Sequence, residues 1–380
     1  MKYAIPQNLC RKMREAKSPV GPEIVLEGRH LVNFSSNDYL GLSNHIKLKQ
    51  AAKRAIDKYG AGSPASRLIC GNNTLYGALE GKLARFKKTQ AALVFTSGYT
   101  ANLGIISALA SRNAAVFSDK LNHASIVDAI ILSRAEIIRY PHKNTALLEE
   151  TLAKDKHNTR LIVTDTVFSM DGDIAPLAQI AGLAKKYNAM LMVDEAHATG
   201  VLGKTGAGCV EHFGLKNGVH LQMGTLSKAF GCLGGFVCAS EEIIEYLINK
   251  ARSLIYTTAL PPSVLASNIA ALEIIQTQAE LRQKLWENVK YFKEGLLRYG
   301  FNTMQSATPI IPVLLKDNSL TMKFSGALRD EGIFAVGIRP PTVPPGEARI
   351  RLTVTAAHKK AHLDKALDAF AKIGKKYGVI

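Results

Sequence analysis

The feature that most constrains this chain is an alternation of short apolar runs with longer segments of helical periodicity. Strands buried on both faces of a parallel sheet have continuous apolar sequences, and seven such runs occur. Segments such as Ile174–Lys186, with apolar residues three and four positions apart, separate several of them. The alternation predicts βαβ units around one largely parallel sheet. The predicted strands are Ala92–Phe95, Ala115–Ser118, Ile137–Tyr140, Leu161–Thr164, Met190–Val193, His220–Met223 and Gly235–Ala239.

The length of the chain predicts more than one structural unit. Its 380 residues exceed the roughly 250–300 residues at which a single core stops growing. We assign residues 46–280 to an α/β domain and residues 281–380 to a smaller α+β domain, preceded by an N-terminal segment, 1–45. The elements predicted for the smaller domain are the helix Glu280–Tyr299, the strands Ile310–Leu315, Ala335–Ile338 and Arg349–Val354, a rigid Pro-rich turn at Arg339–Arg349, and a helix from Lys360.

Charge and cysteine content narrow the class of protein. The net charge of +17 favours anionic partners, but the basic residues are dispersed and form no nucleic-acid motif. An anionic small substrate accounts for the charge equally well, so charge alone does not choose between them. No apolar run reaches the roughly 18–20 residues of a membrane helix. The N-terminal residues lack the apolar segment of a signal peptide, and the five cysteines form no CxxC pair. We expect a cytoplasmic protein that binds neither membrane nor nucleic acid.

Two predicted strand ends carry polar groups suited to catalysis. In "TLSKAFG", Lys228 follows the strand His220–Met223. Burial lowers the pKa of a lysine amine and makes it a nucleophile, although a lone lysine is more often a solvated surface residue. In "LMVDEAHATG", Asp194 ends a strand and His197 follows it. A carboxylate in this position can pair with a protonated ring nitrogen of a cofactor, or it can cap a helix.

The same stretch also matches a nucleotide-binding pattern. "DEAH" resembles the acidic box of helicase-like ATPases, and "ATGVLGKT" (Ala198–Thr205) matches a relaxed phosphate loop. A phosphate loop runs from a strand into a helix, yet Gly206 and Gly208 directly follow the Lys-Thr pair and disfavour a helix. The loop and the acidic box would also have to lie on different strands. The ATPase alternative is therefore disfavoured.

Three further strand ends carry candidate ligand-binding residues. In "FTSGYTANLG", Gly98 and Tyr99 open a helix whose backbone N–H groups can bind phosphate. In "SDKLNHASIVD", His123 can stack on a flat cofactor, although a lone histidine is more often structural. In "TDTVFSMDGD", Ser169 can donate to a ligand oxygen or simply belong to a turn. Because ligands of open α/β sheets bind at the carboxyl ends of the strands, these signals together predict one site.

Taken in order, these motifs resemble the α-oxoamine synthases, a family of fold-type-I pyridoxal-phosphate enzymes. The resemblance extends from "NFSSNDYLGLS" (Asn33–Ser43) to "RIRLTVTAAH" (Arg349–His358), and so covers nearly the whole chain. It implies an α/β transferase fold with a mainly parallel seven-stranded sheet and a smaller C-terminal α+β domain. It also implies a homodimeric acyltransferase that uses pyridoxal 5′-phosphate.

The resemblance implies a role for each matching position. Lys228 would hold the cofactor as a Schiff base, Asp194 would pair with its pyridine nitrogen, and His197 would contact its phenolic oxygen. His123 would stack on the ring and line the substrate site, and Arg351 would bind the carboxylate of the amino acid. The other implied contacts are Gly98, Tyr99 and Thr225 on the phosphate side, Ser169 on the cofactor, Thr258 on the cofactor phosphate of a partner subunit, and Thr342 and Arg11 (with Arg14 as its rival) on the acyl substrate.

One branch of the family is implied more closely. "IRPPTVPPGEARIRLT" (Ile338–Thr353) most resembles the branch in biotin biosynthesis that condenses L-alanine with a pimeloyl thioester of coenzyme A or acyl carrier protein. The alternative is a glycine-using member such as 2-amino-3-ketobutyrate ligase. The pair Asp194-Glu195 departs from the two aspartates common in relatives. We expect no consequence, because only the first should touch the ring.

Overall fold

The computed structural model describes residues 13–215 and 217–380, and contacts within the chain divide it into two units. The larger unit comprises Leu42–Ser169 and Asp173–Gln283. The smaller unit comprises the described residues up to Gly41, the short segment Met170–Gly172, and Lys284–Ile380. The N-terminal segment thus groups with the C-terminal residues. The assignment of separate domains with bounds at 45 and 280 stays a prediction.

Strands and helices alternate through the larger unit, as the apolar pattern predicts. The strands are β1 (Glu23–Leu26), β2 (Arg29–Asn33), β3 (Ala91–Phe95), β4 (Ala114–Asp119), β5 (Glu136–Tyr140), β6 (Thr159–Asp165), β7 (Met190–Asp194), β8 (Leu221–Thr225), β9 (Gly235–Ala239), β10 (Ile310–Lys316), β11 (Ile333–Phe334), β12 (Val336–Ile338) and β13 (Ala348–Thr353). The helices are α1 (Ile46–Tyr59), α2 (Thr74–Lys87), α3 (Gly98–Leu109), α4 (Ala124–Ser133), α5 (Thr145–Lys154), α6 (Leu177–Lys186), α7 (Cys209–His212), α8 (Glu241–Lys250), α9 (Arg252–Ile255), α10 (Pro262–Thr277), α11 (Ala279–Arg298), α12 (Asn318–Asp330) and α13 (Lys360–Lys376), and a π-helical turn covers Arg67–Gly71.

The seven strands of the larger unit form one sheet in the order β3-β9-β8-β7-β6-β4-β5. β9 runs antiparallel to both of its neighbours, and the other neighbouring pairs are parallel. β3, β4, β6, β7 and β8 therefore end at the same edge of the sheet. Each strand overlaps one of the seven predicted apolar runs, and the predicted fold class is confirmed.

A buried apolar cluster holds the helices on this sheet. Val116 of β4 and Val163 of β6 pack in it with Ile105 of α3, Ile130 of α4 and Leu247 of α8, and all five are fully buried. Burying a side chain of this size stabilises the fold by about 1.5–3 kcal/mol. The packing fixes where α3 and α4 begin, and both begin beside the carboxyl edge of the sheet.

The helix predicted at Ile174–Lys186 begins three residues later, at Leu177. Pro176 precedes it and lacks the N–H group that would continue a helix backwards, while it also disfavours a helical conformation at Ala175. The predicted helix at Glu280–Tyr299 is observed at Ala279–Arg298. No helix among the described residues is long and apolar enough to cross a membrane.

The smaller unit contains two three-stranded sheets. One has the order β10-β13-β12 and is antiparallel, and it includes the three strands predicted from the sequence. The other has the order β1-β2-β11, in which β2 and β11 are parallel. The sequence analysis did not predict β1 and β2, because these short strands have mixed burial and because β2 pairs with β11, about 300 residues away.

Candidate active site

The carboxyl ends of five strands enclose a cavity of about 170 Å³ within the larger unit. Eight residues predicted for the site line this cavity, although they lie far apart in the chain. They are Gly98, Tyr99, His123, Ser169, Asp194, His197, Thr225 and Lys228. The cavity is also lined by Asn102, Ser125, Asp165, Ala196, Met223 and Ser227, which the sequence analysis did not predict.

A larger, open groove of about 480 Å³ lies beside the edge strand β5. One of its polar groups, Asp155, already forms hydrogen bonds with His157 and Arg160, at 2.7 Å in each case. None of the predicted site residues is among the described residues that line this groove. Convergence of polar groups, rather than volume, therefore identifies the candidate site.

The start of α3 forms one end of the cavity. Ser97 caps the helix, since its Oγ accepts the N–H of Thr100 at 3.1 Å while Thr100 Oγ1 accepts the N–H of Ser97 at 2.9 Å. A Cβ atom on Gly98 would lie 3.4 Å from Oγ1 of Thr225, so glycine keeps this end open. The ring of Tyr99 lines the cavity, and its hydroxyl donates to Asp128 at 2.6 Å. The first N–H groups of the helix are suited to bind an anion.

Lys228 lies in a tight turn that follows β8, and its side chain is half-buried. Oγ1 of Thr225 donates to the carbonyl of Gly234 at 2.9 Å, and the N–H of Gly231 donates to the carbonyl of Lys228 at 2.9 Å. Gly231 has a φ of +67°, and a Cβ atom there would lie 2.4 Å from the backbone nitrogen of Ser43. Glycine at this position closes the turn and so fixes the backbone of the lysine.

Two carboxylates stand side by side at the ends of β6 and β7. Asp165 and Asp194 are register partners, and each is 4% exposed. Oδ1 of Asp194 accepts the N–H of Ala196 and Oδ2 accepts the amide of Asn102, both at 2.9 Å. Oδ2 of Asp165 accepts the N–H of His123 at 2.7 Å. Burial, reinforced by the charge of Asp194, raises the pKa of Asp165 well above its usual range. Ionisation of Asp165 beside Asp194 is therefore disfavoured.

His123 caps α4 and is held by Ser125. Its Nδ1 accepts the N–H of Ser125 at 3.2 Å and lies 2.7 Å from Oγ of the same residue. Burial lowers the pKa of His123, and the charge of Lys228 lowers it further, while Asp194 and Asp128 oppose the shift. The imidazole is therefore neutral near pH 7 and presents a flat ring to the cavity.

Ser169 and His197 complete the predicted lining. Ser169 is half-buried and lies in a loop whose base is closed by a bridge between Val167 and Ile174. His197 is 6% exposed and lies in the turn after β7. Ser169 reaches the cavity from the loop after β6, and His197 reaches it from the turn after β7, the strand that ends at Asp194.

Glu195, the departure noted in the sequence, is not among the described residues that line the cavity, and it has a structural role. It is fully buried and forms an ion pair with the buried Lys87, which also donates to Thr199 Oγ1 at 2.9 Å and to the carbonyl of Ala207 at 2.6 Å. Oε1 of Glu195 accepts the N–H of Val210 at 2.9 Å. The expectation that only Asp194 touches the ring stays a prediction, and the ion pair of Glu195 fastens the turn that carries Asp194 and His197.

In the stretch that resembles a phosphate loop, the backbone donors bind a carboxylate of the chain itself. Oε2 of Glu211 accepts the N–H groups of Thr205 and Ala207 at 3.0 and 3.1 Å, and Oε1 accepts the hydroxyl of Thr205 at 2.9 Å. The loop continues into α7, which has only four residues. A carboxylate of the chain therefore occupies the backbone donors that a nucleotide would need, and this contradicts the ATPase alternative.

Two predicted substrate residues lie in the smaller unit. Arg351 of β13 is 8% exposed and donates to Oγ1 of Thr353 at 3.0 Å and to Oδ1 of Asn37 at 3.1 Å. Burial raises the pKa of Tyr39 to about 12 even though Arg351, its hydrogen-bond partner, opposes the shift. Thr342 is exposed in the turn between β12 and β13. Their roles toward a substrate stay predictions.

The remaining predicted residues do not line the cavity or cannot be placed. Thr258 forms an isolated bridge with Ser66 on the surface of the larger unit, next to the π-helical turn. Arg11 lies outside the described residues. Its rival, Arg14, lies 3.8 Å from Glu27 and over the ring of Phe334.

The lining of the cavity fits pyridoxal 5′-phosphate. The start of α3 offers N–H donors for a phosphate, and the absence of a side chain at Gly98 leaves room for it. Asp194 offers a buried carboxylate for a protonated ring nitrogen, and Lys228 offers an amine for an aldehyde. An anion site, a carboxylate and an amine within one cavity match the three reactive parts of this cofactor.

Comparison with known proteins gives the same answer. The family model for aminotransferase class I and II matches residues 29–370. The chain is 49% identical over 372 residues, 97% of its length and 94% of the relative, to an 8-amino-7-oxononanoate synthase from Thermoanaerobacter pseudethanolicus. A serine palmitoyltransferase from S. paucimobilis with a bound PLP-myriocin aldimine matches with a TM-score of 0.94 at 34% identity, over 97% of this chain and 94% of that one. An 8-amino-7-oxononanoate synthase from Francisella tularensis matches with a TM-score of 0.80 at 33% identity, over 92% and 99%.

The chain belongs to the aminotransferase class I and II family, and within it to the α-oxoamine synthases. Its full-length curated relatives at about half identity are 8-amino-7-oxononanoate synthases. The predictions of a fold-type-I fold, of an acyl-transferring enzyme and of a cofactor of the pyridoxal-phosphate type are confirmed. The glycine-using alternative is not favoured.

Proposed function

We propose that this chain condenses L-alanine with a pimeloyl thioester to give 8-amino-7-oxononanoate, CO2 and the free thiol, a step of biotin biosynthesis in the cytoplasm. The observation that carries the proposal is the convergence of eight predicted residues on one cavity. The 49% identity to an 8-amino-7-oxononanoate synthase supports the choice of substrates.

Each side chain has a separate task in this proposal. Bound pyridoxal 5′-phosphate supplies an electron sink, because its protonated ring accepts the electron pair left when a proton leaves the α-carbon. Asp194 keeps the ring nitrogen protonated, and the amine of Lys228 takes the α-proton of alanine. His123 stacks on the ring and holds the substrate in place. Arg351 binds the amino acid's carboxylate through its two parallel N–H groups.

The role of Lys228 can be tested by colour and by reduction. The purified protein should be yellow, and borohydride should fix the cofactor covalently to Lys228, as peptide mapping would reveal. The Lys228→Ala variant should form no reducible adduct and lose at least about 10³-fold in kcat, because its general base is gone. The surface variant Lys250→Ala serves as the control and should behave like the unmodified enzyme. A colourless protein that stays colourless with added pyridoxal phosphate would refute the proposal.

The substrates can be tested by pairing amino acids with acyl thioesters. Alanine, glycine and serine would each be assayed with pimeloyl-, acetyl- and palmitoyl-coenzyme A, and the products identified by mass spectrometry. Serine with palmitoyl-coenzyme A is included because a serine palmitoyltransferase matches the fold with a TM-score of 0.94. We expect the highest kcat/KM for alanine with the pimeloyl thioester. A preference for glycine with acetyl-coenzyme A would contradict the assignment.

The acyl carrier is a separate question. A net charge of +17 suits both coenzyme A and an acidic carrier protein. Parallel assays with pimeloyl-coenzyme A and pimeloyl-acyl carrier protein, each over a range of salt concentrations, would decide between them. The natural donor should have the higher kcat/KM.

We further propose a homodimer in which Thr258 approaches the cofactor phosphate of the partner subunit. Support comes from apolar side chains beside the Ser66–Thr258 bridge, since Ile69 is 79% exposed and Tyr256 is 72% exposed. Ile69→Glu should shift the mass in light scattering from dimer to monomer and lower cofactor affinity. The exposed Met13→Glu serves as the control and should stay dimeric.

A further inference from the structure

Asn102 lies behind two residues expected to hold the cofactor ring, Asp194 at its nitrogen and His123 against its face. It lies in the second turn of α3, is 1% exposed, and lines the cavity. Its Nδ2 lies 2.9 Å from Oδ2 of Asp194 and 2.8 Å from Oγ of Ser125. Oγ of Ser125 lies 2.7 Å from Nδ1 of His123. One amide thus touches Asp194 directly and reaches His123 through a single hydroxyl.

The direction of each hydrogen bond follows from the donors available. Both amide hydrogens of Asn102 go to acceptors, Asp194 and Ser125, so the hydroxyl of Ser125 keeps its own hydrogen to donate to His123 Nδ1. Nδ1 also accepts the N–H of Ser125 at 3.2 Å. Nδ1 therefore carries no proton, and the neutral imidazole carries its proton on Nε2.

We infer that Asn102 is a positioning residue that sets both the orientation of Asp194 and the tautomer of His123. The inference rests on the proposed function, because these two side chains matter together only when both hold the same cofactor ring, Asp194 at its nitrogen and His123 on its face. An amide suits this task better than a charged side chain. A cation would pair with Asp194 and weaken its hold on a ring nitrogen, whereas a carboxylate would compete with Asp194 for the same proton.

The unused oxygen of Asn102 supports the inference. Oδ1 is buried and has no hydrogen-bond partner within the described part of the chain. An unpaired buried acceptor is unfavourable for stability, so a side chain serving the fold alone would have no reason to carry it. The two donors on Nδ2 account for the presence of an amide. The titratable groups facing this network are Asp165, Asp128 and Lys228, besides Asp194 and His123 themselves.

The test is a pH titration of the visible absorbance of the bound cofactor, a signal that does not depend on turnover. Asn102→Asp preserves shape but places a further carboxylate beside Asp194 and Asp165, and we expect the midpoint to shift by about one pH unit. The same variant should lose about 10²-fold in kcat and shift the pH profile of kcat/KM. Ser125→Ala removes only the link to His123. It should lower kcat about tenfold, with a smaller shift of the midpoint.

Asn288 provides a matched control in the smaller unit. It is 3% exposed, and its Nδ2 also donates twice, to the carbonyls of Thr355 and His358 at 3.0 Å. Asn288→Asp should lower the melting temperature and leave the absorbance midpoint unchanged. If the unmodified enzyme is yellow and active but Asn102→Asp has the same midpoint and pH profile, the inference about Asn102 is overturned while the proposed function stands. If the unmodified enzyme binds no pyridoxal phosphate, the proposed function fails first and this inference fails with it.

Discussion

Two acidic clusters at the same edge of the sheet are built from similar side chains and differ in how their charge is balanced. In the first, Asp119 at the end of β4 and the nearby Asp173 share two cations. His142 bridges them, with Nδ1 3.0 Å from Asp119 and Nε2 3.0 Å from Asp173, and Lys143 lies 2.7 Å from Asp173. Burial alone would raise the pKa of Asp173, but hydrogen bonds from His142 and Lys143 lower it. This cluster is neutralised within the fold.

The second cluster is Asp165 and Asp194 in the cavity. They accept hydrogen bonds from the amide of Asn102 and from the backbone N–H groups of His123 and Ala196, all of which are uncharged donors. Burial and the charge of Asp194 raise the pKa of Asp165, and the charge of Lys228 opposes this shift. The difference separates a structural cluster from a functional one, because the charge of Asp194 is left for the cation that a bound ring would bring.

The largest effect is expected when the charge of the cavity cluster is removed. Asp194→Asn keeps the shape of the side chain but cannot hold a ring nitrogen in its protonated form. We expect kcat/KM for alanine to fall by about 10³-fold, with little change in melting temperature. Steady-state kinetics and calorimetry would check both. An active Asp194→Asn variant would remove the distinction between the clusters.

The corresponding substitution in the structural cluster should lower stability and leave activity largely unchanged. Asp173→Asn leaves Lys143 without its charged acceptor, and it leaves His142 with one carboxylate, Asp119, in place of two in a largely buried site. The free energy of unfolding should fall by about 3 kcal/mol, as measured by urea denaturation. The kcat/KM of the folded variant should stay within about tenfold of the original enzyme, since no charge in the cavity changes. A stable but inactive Asp173→Asn variant would contradict this assignment.

The structural cluster should also make stability depend on pH. Burial disfavours protonated His142, but the hydrogen bonds of Asp119 and Asp173 outweigh it and raise the pKa of His142 to about 9. Because the unfolded pKa is near 6.5, this stabilisation is complete below pH 6.5 and is lost as the pH rises through 9. We expect a loss of about 2 kcal/mol, after allowance for partial exposure. His142→Gln should flatten the curve over this range, and the exposed His212→Gln should not.

The smallest effect is expected at Asp165. If Asp165 is already uncharged, Asp165→Asn removes no charge, and its amide oxygen still accepts the N–H of His123. The variant should change kcat/KM by no more than about fivefold. A loss as large as that of Asp194→Asn would mean that Asp165 carries charge in the working enzyme.

Periodicity in the sequence predicted the fold well for a physical reason. A buried parallel strand is apolar at every position, so runs such as Leu161–Thr164 stand out without knowledge of their neighbours. β1 and β2 lack this signature, because their outer positions are exposed and their sheet is completed by β11. Strands that are buried on both faces of a sheet are therefore the ones that the apolar pattern predicts best.

The eight predicted residues that line the cavity each lie in a motif that can be recognised in the sequence. The residues that hold these side chains in place, such as Asn102 and Asp165, were not predicted. Asn102 and Asp194 are 92 positions apart, and Asp165 and His123 are 42 positions apart. Their hydrogen bonds exist only once β4, β6 and β7 are side by side, so no local pattern reveals them. Asn102 did lie within a motif that carried the resemblance, "SGYTAN", and this was the one available signal.

The antiparallel strand β9 has a consequence for how the protein is made. β3 leads into the end of the cavity at Gly98, yet its one neighbouring strand within the described part of the chain is β9, which pairs Ala239 with Ala91. At a ribosomal rate of about 5–20 residues per second, the apolar strand β3 waits roughly 7–30 s for that neighbour to be synthesised. The end of the cavity at Gly98 is therefore assembled late, after β4 to β8 have been synthesised. A chain that is still being synthesised should therefore bind the cofactor only after β9 has joined the central sheet.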